Sequence, residues 1–293
     1  MTAAPNLLEM VTVLDSEART RYDVLTGRSL PNPSGKSFGG QVLGQAIAAA
    51  GSTVPADRAI HSMHGYFLRP GDGATRMTFE VDRLHDGRSF STRRVQAYQH
   101  GEARMSMISS FQTVDDGLEH QQPIDMSSIV DPESLPTVWE QYGQLAGDGR
   151  ASWMLNRPFD FRYVESDVVL RVAERTSRQR VWMRSRETFD EPPLLQAAAL
   201  AFASDYLLLE PVIRQHEIPW ATPGLRAASL DHAMWFHRPF RVDEWLLYEL
   251  DSPTAQGGRG LVHGRFYNRD GELVASVAQE GMVRLAGGAP EQA

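Results

Sequence analysis

Cysteine is absent from the 293 residues. That absence removes disulfides, thiolate metal sites and cysteine nucleophiles together, and it is the usage expected in a reducing compartment. No apolar run approaches the ~20 residues a membrane helix needs, so no membrane span is expected. The N-terminal MTAAPNLLEMVTVLD lacks the basic region and apolar core of a secretion signal. The C-terminal GGAPEQA carries no lipidation or peroxisomal motif. A cytoplasmic location is the resulting expectation. An excess of positive charge is also missing: 29 Lys and Arg stand against 37 Asp and Glu, a net charge of −8, so nucleic acid is not the expected partner.

Several catalytic signatures are missing too. There is no Gly-x-Ser-x-Gly elbow and no His-Glu-x-x-His helix. Gly35-Lys36-Ser37 has the tail of a phosphate-binding loop. The first glycine of that motif, however, falls on Leu30, and two prolines in SLPNPSG remove backbone donors from the cradle. Gly39-Gly40 is not a dinucleotide fingerprint, and reads instead as a helix start that permits close backbone approach, with amides able to polarise a carbonyl or hold an anion. His61 and His64, three apart on an expected strand, point to opposite faces and cannot share a metal. Neither a metal nor a cofactor is expected.

What is present is a repeat. HSMHGYFLRPG, near His61, leads into strand-like text that ends in GEARMSMISSFQ. SLDHAMWFHRPF, near Ser229, leads into similar text that ends in DGELVASVAQEG. An Ala-rich apolar helix precedes each: QVLGQAIAAAG in the first half and LLQAAALAFASDYLLLE in the second. Both helices lack a polar face, so each must be surrounded, and the strands that follow suggest a sheet curled around it. The fold class is therefore α+β, with two tandem units occupying 1–115 and 156–286. Residues 116–155 form a polar, turn-rich linker with one short helix around Val138–Leu145, and 287–293 form a tail.

Asp205 stands among Ala201, Phe202, Ala203, Tyr206, Leu207 and Leu208. An ionised carboxylate there costs several kcal/mol unless it is paired or hydrogen-bonded. Two readings stay open: the acid ends the helix towards water, or partners hold it for a purpose. Aligning the Arg-Pro pairs of the repeats sets Ser229 opposite Ile60, and the glutamines that end the two tracts, Gln112 and Gln279, are matched to each other. The second half then has Asp, Ser and Gln where the first keeps only Gln, as a duplicated fold with one active site would.

FGGQVLGQAIAAA, HSMHGYFLRPGD, RLHDGRSFSTRRVQAYQHGEARMSMISSFQ, LAFASDYLLLEP, SLDHAMWFHRPFRVDEWLLYE and GELVASVAQEGMVR together resemble the acyl-CoA thioesterase II family, in order and over about residues 5–286. The resemblance implies a double hotdog, in which each half is one long helix wrapped by a curved antiparallel sheet. It implies hydrolysis of acyl-CoA to free acid and CoA without metal or cofactor. It also implies a catalytic Asp205, Ser229 and Gln279, the hydroxyl being usually threonine in the family. Serine keeps the oxygen and loses the methyl that fixes the rotamer.

With no cysteine and no Ser-His elbow, water is the expected nucleophile and Asp205 its base. Gln279 either orients that water or supports the thioester oxygen. Gly39 and Gly40 belong to the helix start at the site. Met63, Phe67, Met234 and Trp235 could line an acyl slot, and Arg88, Arg93 and Arg94 are the candidate cations for the CoA phosphates. His232 and His237 read as packing residues, with His237 sharing the face of Ser229 and His232 taking the other. A homodimer or homotetramer is the expected assembly. The competing readings are a hotdog enoyl-CoA hydratase or dehydratase, which wants an Asp-His pair, and a non-catalytic acyl-CoA binding protein.

Overall fold

A computed structural model of the chain describes residues 6–15, 22–30, 35–145 and 154–286. In chain order the elements of the first half are α1 (Leu7–Val11), β1 (Val13–Asp15), β2 (Asp23–Gly27), α2 (Gly39–Gly51), β3 (Arg58–Phe67), β4 (Met77–Asp86), β5 (Phe90–Gln99) and β6 (Glu102–Thr113). There follow α3 (Val138–Tyr142), β7 (Phe159–Tyr163), β8 (Arg178–Ser185), α4 (Pro193–Ser204), α5 (Glu210–Gln215), β9 (Leu225–Ser229), β10 (Asp231–Phe236), β11 (Leu246–Gln256), β12 (Arg259–Tyr267) and β13 (Leu273–Leu285).

The strands form one antiparallel sheet in the order β1-β2-β4-β5-β6-β3-β10-β13-β12-β11-β8-β7, with β9 also paired to β13. That order reads as two copies of one pattern meeting at β3 and β10, where Met63 lies opposite Met234. Each copy runs strand, central helix, then the remaining strands, as a double hotdog requires. Alternation explains the strands: β5 buries Ser91, Arg93, Val95, Ala97 and Gln99 and turns the intervening residues outward.

The two central helices are buried on nearly every side, as their composition demands. They pack against each other antiparallel, the start of α2 beside the end of α4. Small residues make the close approach possible: a Cβ on Gly40 would come within 2.2 Å of the Phe202 carbonyl oxygen, and one on Gly44 within 2.7 Å of that of Ala198. Gly35-Lys36-Ser37 is no phosphate cradle. Ser37 donates its N–H to Gly71 O (3.0 Å) and its hydroxyl to Asp72 O (3.0 Å), which ties the segment to the turn after β3.

The segment between the halves is a strap rather than a free spacer. Ile124, Met126, Ile129 and Leu135 pack on an outer-face cluster of Trp182, Trp245, Leu247 and Tyr267. Trp182 Nε1 donates to Val130 O (2.9 Å) and Trp245 Nε1 to Glu133 Oε1 (2.8 Å), so each indole N–H is satisfied by the strap. The short helix expected around Val138–Leu145 is α3 followed by a 3₁₀ turn over Gly143–Leu145, started by a Thr137–Glu140 capping box.

Candidate active site

Asp205 is the C-cap of α4. The residue ends the helix, but it is held by hydrogen bonds rather than turned out into water. Ser229, the last residue of β9, donates its hydroxyl to Asp205 Oδ1 at 2.8 Å. Gln279, on β13, donates from Nε2 to Ser229 Oγ at 3.0 Å. The Gly40 N–H, at the start of α2, also donates to the carboxylate. Three distant segments, the end of one central helix, the start of the other and the middle of the sheet, therefore converge on one carboxylate.

Asp205 keeps part of its surface accessible while protein surrounds it closely. Burial is the dominant influence and pushes its carboxyl up to about 6, against the opposing hydrogen bonds from Ser229, Gly40 and Gln279. Gly39 is needed at the helix start: a Cβ there would lie 2.7 Å from Asp205 Oδ2 and 3.1 Å from the Phe67 ring. Phe67 thus stands at the site. Met63 and Met234 are fully buried on the inner face of the central strand pair. Trp235 takes the opposite face, edge-on to His64 at 5.1 Å, and so cannot line a slot beside Asp205.

The arginine guesses fare differently. Arg93 is 1 % exposed and is consumed within the fold: its guanidinium donates to Thr53 Oγ1 (2.8 Å), Thr53 O (3.0 Å) and Asp86 Oδ1 (2.8 Å). It cannot hold a CoA phosphate. Arg94 is paired with Asp82 at 2.9 Å. Arg88 is exposed beside the β4–β5 turn. Arg93 and its partners gather at the far end of α2 from Gly40, about 20 Å away by helical rise. A cleft of about 470 Å³ between the strap and the C-terminal sheet contains two other arginines, Arg184 and Arg186, beside Trp139 and Thr188. Among the described residues no group of His, Asp and Glu is arranged to hold a metal ion.

Register corrects the alignment of the repeats. Ser229 lies opposite Gly281 as Ile60 lies opposite Phe111, and Met234 opposite Val277 as Gly65 lies opposite Met107. Gln279 therefore corresponds to Ser109, not to Gln112, which faces the other side of its strand from the buried Ser109 and Phe111. The first half keeps no member of the trio.

His232 is the residue whose place the sequence misassigned. A regular strand would turn it away from Ser229. The chain instead breaks at Leu230, whose N–H bonds to Glu280 O and whose carbonyl accepts from Phe67 N, each at 2.9 Å. The break turns His232 inward. It is 1 % exposed, with Nδ1 2.6 Å from Gln279 Oε1 and Nε2 3.0 Å from Ser204 Oγ. Burial holds its pKa down, to about 4. His237 is exposed, bonded to Ser276 Oγ (2.9 Å), and is apart from the site.

A second buried cluster adjoins the first and was not legible in the sequence. Tyr206 stacks on Phe38 at 4.4 Å between centroids, and the Arg157 guanidinium lies 4.4 Å above its ring. Glu210, fully buried, accepts from Tyr163 Oη (3.2 Å) and Trp220 Nε1 (3.3 Å), and burial raises its carboxyl to about 7.

Comparison with known proteins agrees with this geometry. Residues 153–282 match the family model described as acyl-CoA thioesterase, and residues 29–112 match the acyl-CoA thioesterase N-terminal domain. Acyl-coenzyme A thioesterase 8 of Mus musculus is 38% identical over 90% of this chain and 85% of its own length. The crystal structure of an acyl-CoA thioesterase II, TesB2, from Mycobacterium marinum is 39% identical, covers 97% of this chain and 99% of its own, and superposes with a TM-score of 0.76. A protein of unknown function with a hotdog fold from Alicyclobacillus acidocaldarius, 15% identical and covering 96% and 98% of the two chains, shares the fold with a TM-score of 0.76. The fold and these relatives define a double-hotdog thioester hydrolase. The chain belongs to the acyl-CoA thioesterase family.

Proposed function

We propose that the chain hydrolyses acyl-CoA by direct attack of a water molecule activated at Asp205. The observation that carries this reading is a carboxylate that is desolvated yet reachable, with a pKa of about 6 and a hydroxyl 2.8 Å away. At neutral pH it is ionised and more basic than an exposed aspartate, which suits a general base. Water held there attacks the thioester carbonyl carbon and gives its proton to Asp205. The carbonyl oxygen takes up negative charge near the start of α2 and Gln279, the amide donors at hand. The carbon–sulfur bond then breaks, and the departing thiolate recovers the proton from Asp205. An alkyl thiol has a pKa near ~8.5, so no strong acid is needed behind the leaving group. In this reading Ser229 holds the carboxylate, and Phe67 supplies apolar surface for the acyl chain; Met63 and Met234, fully buried, pack behind it in the core. Neither metal nor cofactor takes part.

Thiol release from palmitoyl-CoA and shorter esters tests the reading. The Asp205→Ala variant is expected to fold, bind acyl-CoA and release no thiol above background; undiminished turnover would remove Asp205 from the mechanism. A hydratase would add water to an enoyl-CoA without releasing thiol, and a simple binding protein would do neither. The Asp-His pair a dehydratase wants is opposed by the bonding of His232, which goes to Gln279 and Ser204. The reading extends to a cytoplasmic enzyme of fatty-acyl metabolism with no nucleic-acid partner, supported by the absence of cysteine and the net charge of −8. No helix among the described residues is long and apolar enough to cross a membrane. A homodimer or homotetramer is supported by Tyr66 and Ile108, exposed on neighbouring central strands, and a sizing measurement decides it.

A further inference from the structure

The site contains a hydrogen-bond chain whose direction is set by proton counting. An ionised carboxylate only accepts, so the single hydroxyl proton of Ser229 goes to Asp205 Oδ1. Ser229 Oγ must then accept from Gln279, which turns the Nε2 end of that amide towards Ser229, as found at 3.0 Å. Gln279 Oε1 is thereby turned towards His232 and needs a donor. Only an N–H on Nδ1, 2.6 Å away, supplies it. With the ring neutral, Nε2 is left as an acceptor 3.0 Å from Ser204 Oγ, whose one proton is shared between Nε2 and the Ala201 carbonyl at 2.9 Å, so the tautomer is set from the Gln279 side. The opposite tautomer would flip the Gln279 amide, and two acceptors, Gln279 Oε1 and Asp205 Oδ1, would compete for one serine proton. Ser204, His232 and Gln279 are each almost fully buried, so water does not relieve such a conflict.

We propose that His232 is a positioning residue that locks the Gln279 amide with its N–H₂ end towards the reaction centre, making Gln279 a donor to the thioester oxygen. One Nε2 proton serves Ser229, and the second, which faces the Asp205 carboxylate in the free enzyme, is the one offered to the substrate. Gln279 then supports the developing oxyanion and takes no proton from water. This inference rests on the acyl-CoA hydrolase reading above and assigns a role to a residue two hydrogen bonds away from the carboxylate.

The test compares His232→Leu, which fills space without a donor, with His232→Asn, whose amide N–H falls about where Nδ1–H stands. His232→Leu is expected to lower kcat by about 10²-fold, the loss typical of one oxyanion donor, with KM changed by less than about threefold. His232→Asn is expected to recover at least about a tenth of the parent kcat on the same reasoning. In a Gln279→Ala background, His232→Leu should cost little more, because its effect runs through the amide. Additive losses in the double variant, or equal losses in the Leu and Asn variants, overturn the proposal. Should His232→Leu fail to fold, nitrogen NMR of the parent decides: the ring of His232, assigned by its disappearance in His232→Asn, must carry its proton on Nδ1 at neutral pH, and a proton on Nε2 overturns the inference. Failure of the hydrolase reading looks different, for Asp205→Ala would then keep releasing thiol whatever His232 does.

Discussion

Asp205→Asn separates the cost of holding a carboxylate at the end of α4 from the use made of it. Burial lifts this carboxyl from 3.8 to about 6, so the folded chain binds the proton more tightly than the unfolded chain. Stability from this group is therefore fully present below about pH 4, declines as pH rises, and is lost above about pH 6. A rise of about two units, at about 1.4 kcal/mol each, makes the ionised site about 3 kcal/mol less stable than the protonated one. Asparagine does not titrate. It keeps an acceptor for Ser229 but sets an N–H₂ against the Gly40 N–H, a pH-independent loss of about 1–3 kcal/mol. The difference in unfolding free energy between variant and parent should shift in favour of the variant by about 3 kcal/mol from pH 4 to pH 7. Urea unfolding of both proteins in the same buffers reads this, since every other titrating group cancels in the difference. Over the same range the parent's kcat/KM should show an acid limb at about 6, while the variant releases no thiol above background. A stability difference flat with pH, or an acid limb near that of an exposed aspartate, would refute the argument by placing Asp205 in water.

Other perturbations probe the surroundings. Ser229→Ala removes a bond that lowers the Asp205 carboxyl, so the acid limb should move upward in a pH–rate profile, and turnover should fall by about 10- to 100-fold, the worth of a hydrogen bond to a charged group. Gly39→Ala sets a methyl 2.7 Å from Asp205 Oδ2, and should cost kcat in the thiol-release assay more than it costs thermal stability. Glu210→Ala strips the buried Arg157 cluster of its carboxylate, and should destabilise the fold by about 3–5 kcal/mol in denaturant titrations. Arg93→Met breaks the bonds to Thr53 and Asp86, so the melting temperature should fall while KM for acyl-CoA stays put; a raised KM would return Arg93 to the substrate.

How much of this the residues disclosed depended on what each signal measures. Asp205 was legible because an acid inside an unbroken apolar helix is costly wherever the helix packs. The duplicated architecture was legible because two Ala-rich helices and two Arg-Pro strands recur in the same order. Faces were not legible where the strand is irregular. Parity counting assumes an unbroken period of two, and an interruption by one residue sends every later side chain to the other face. The break at Leu230 does this to His232, and the matching irregularity between Ile60 and Ser62 does the same in the first half. Gln112 was misaligned because glutamine was matched to glutamine without the ladder, which pairs Ser109 with Met63. The burial of Arg93 was hidden for another reason: a guanidinium enters a core only when enough acceptors surround it, and those acceptors come from the turn after α2, from β4 and from β5 together.

The ladder also explains why a duplicated fold has one site. Antiparallel central helices present two like corners, each made from the end of one helix, the start of the other and the sheet between them. At one corner the sheet offers Ser229, His232 and Gln279; at the other, the same register positions hold Ile60, Met63 and Ser109. The helix ends differ in sign. At the end of α2 the Arg93 guanidinium donates to the Thr53 carbonyl, a cation at a helix C-terminus, where the macrodipole favours it. At the end of α4 stands a carboxylate, the charge that the same dipole disfavours. Burial adds the larger cost, the Gly40 N–H at the positive end of α2 offsets part of it together with Ser229 and Gln279, and the carboxyl stands at about 6. One corner is thus built for stability and its twin holds a desolvated carboxylate, so the basicity that the proposed mechanism draws on arises where burial costs the fold local stability.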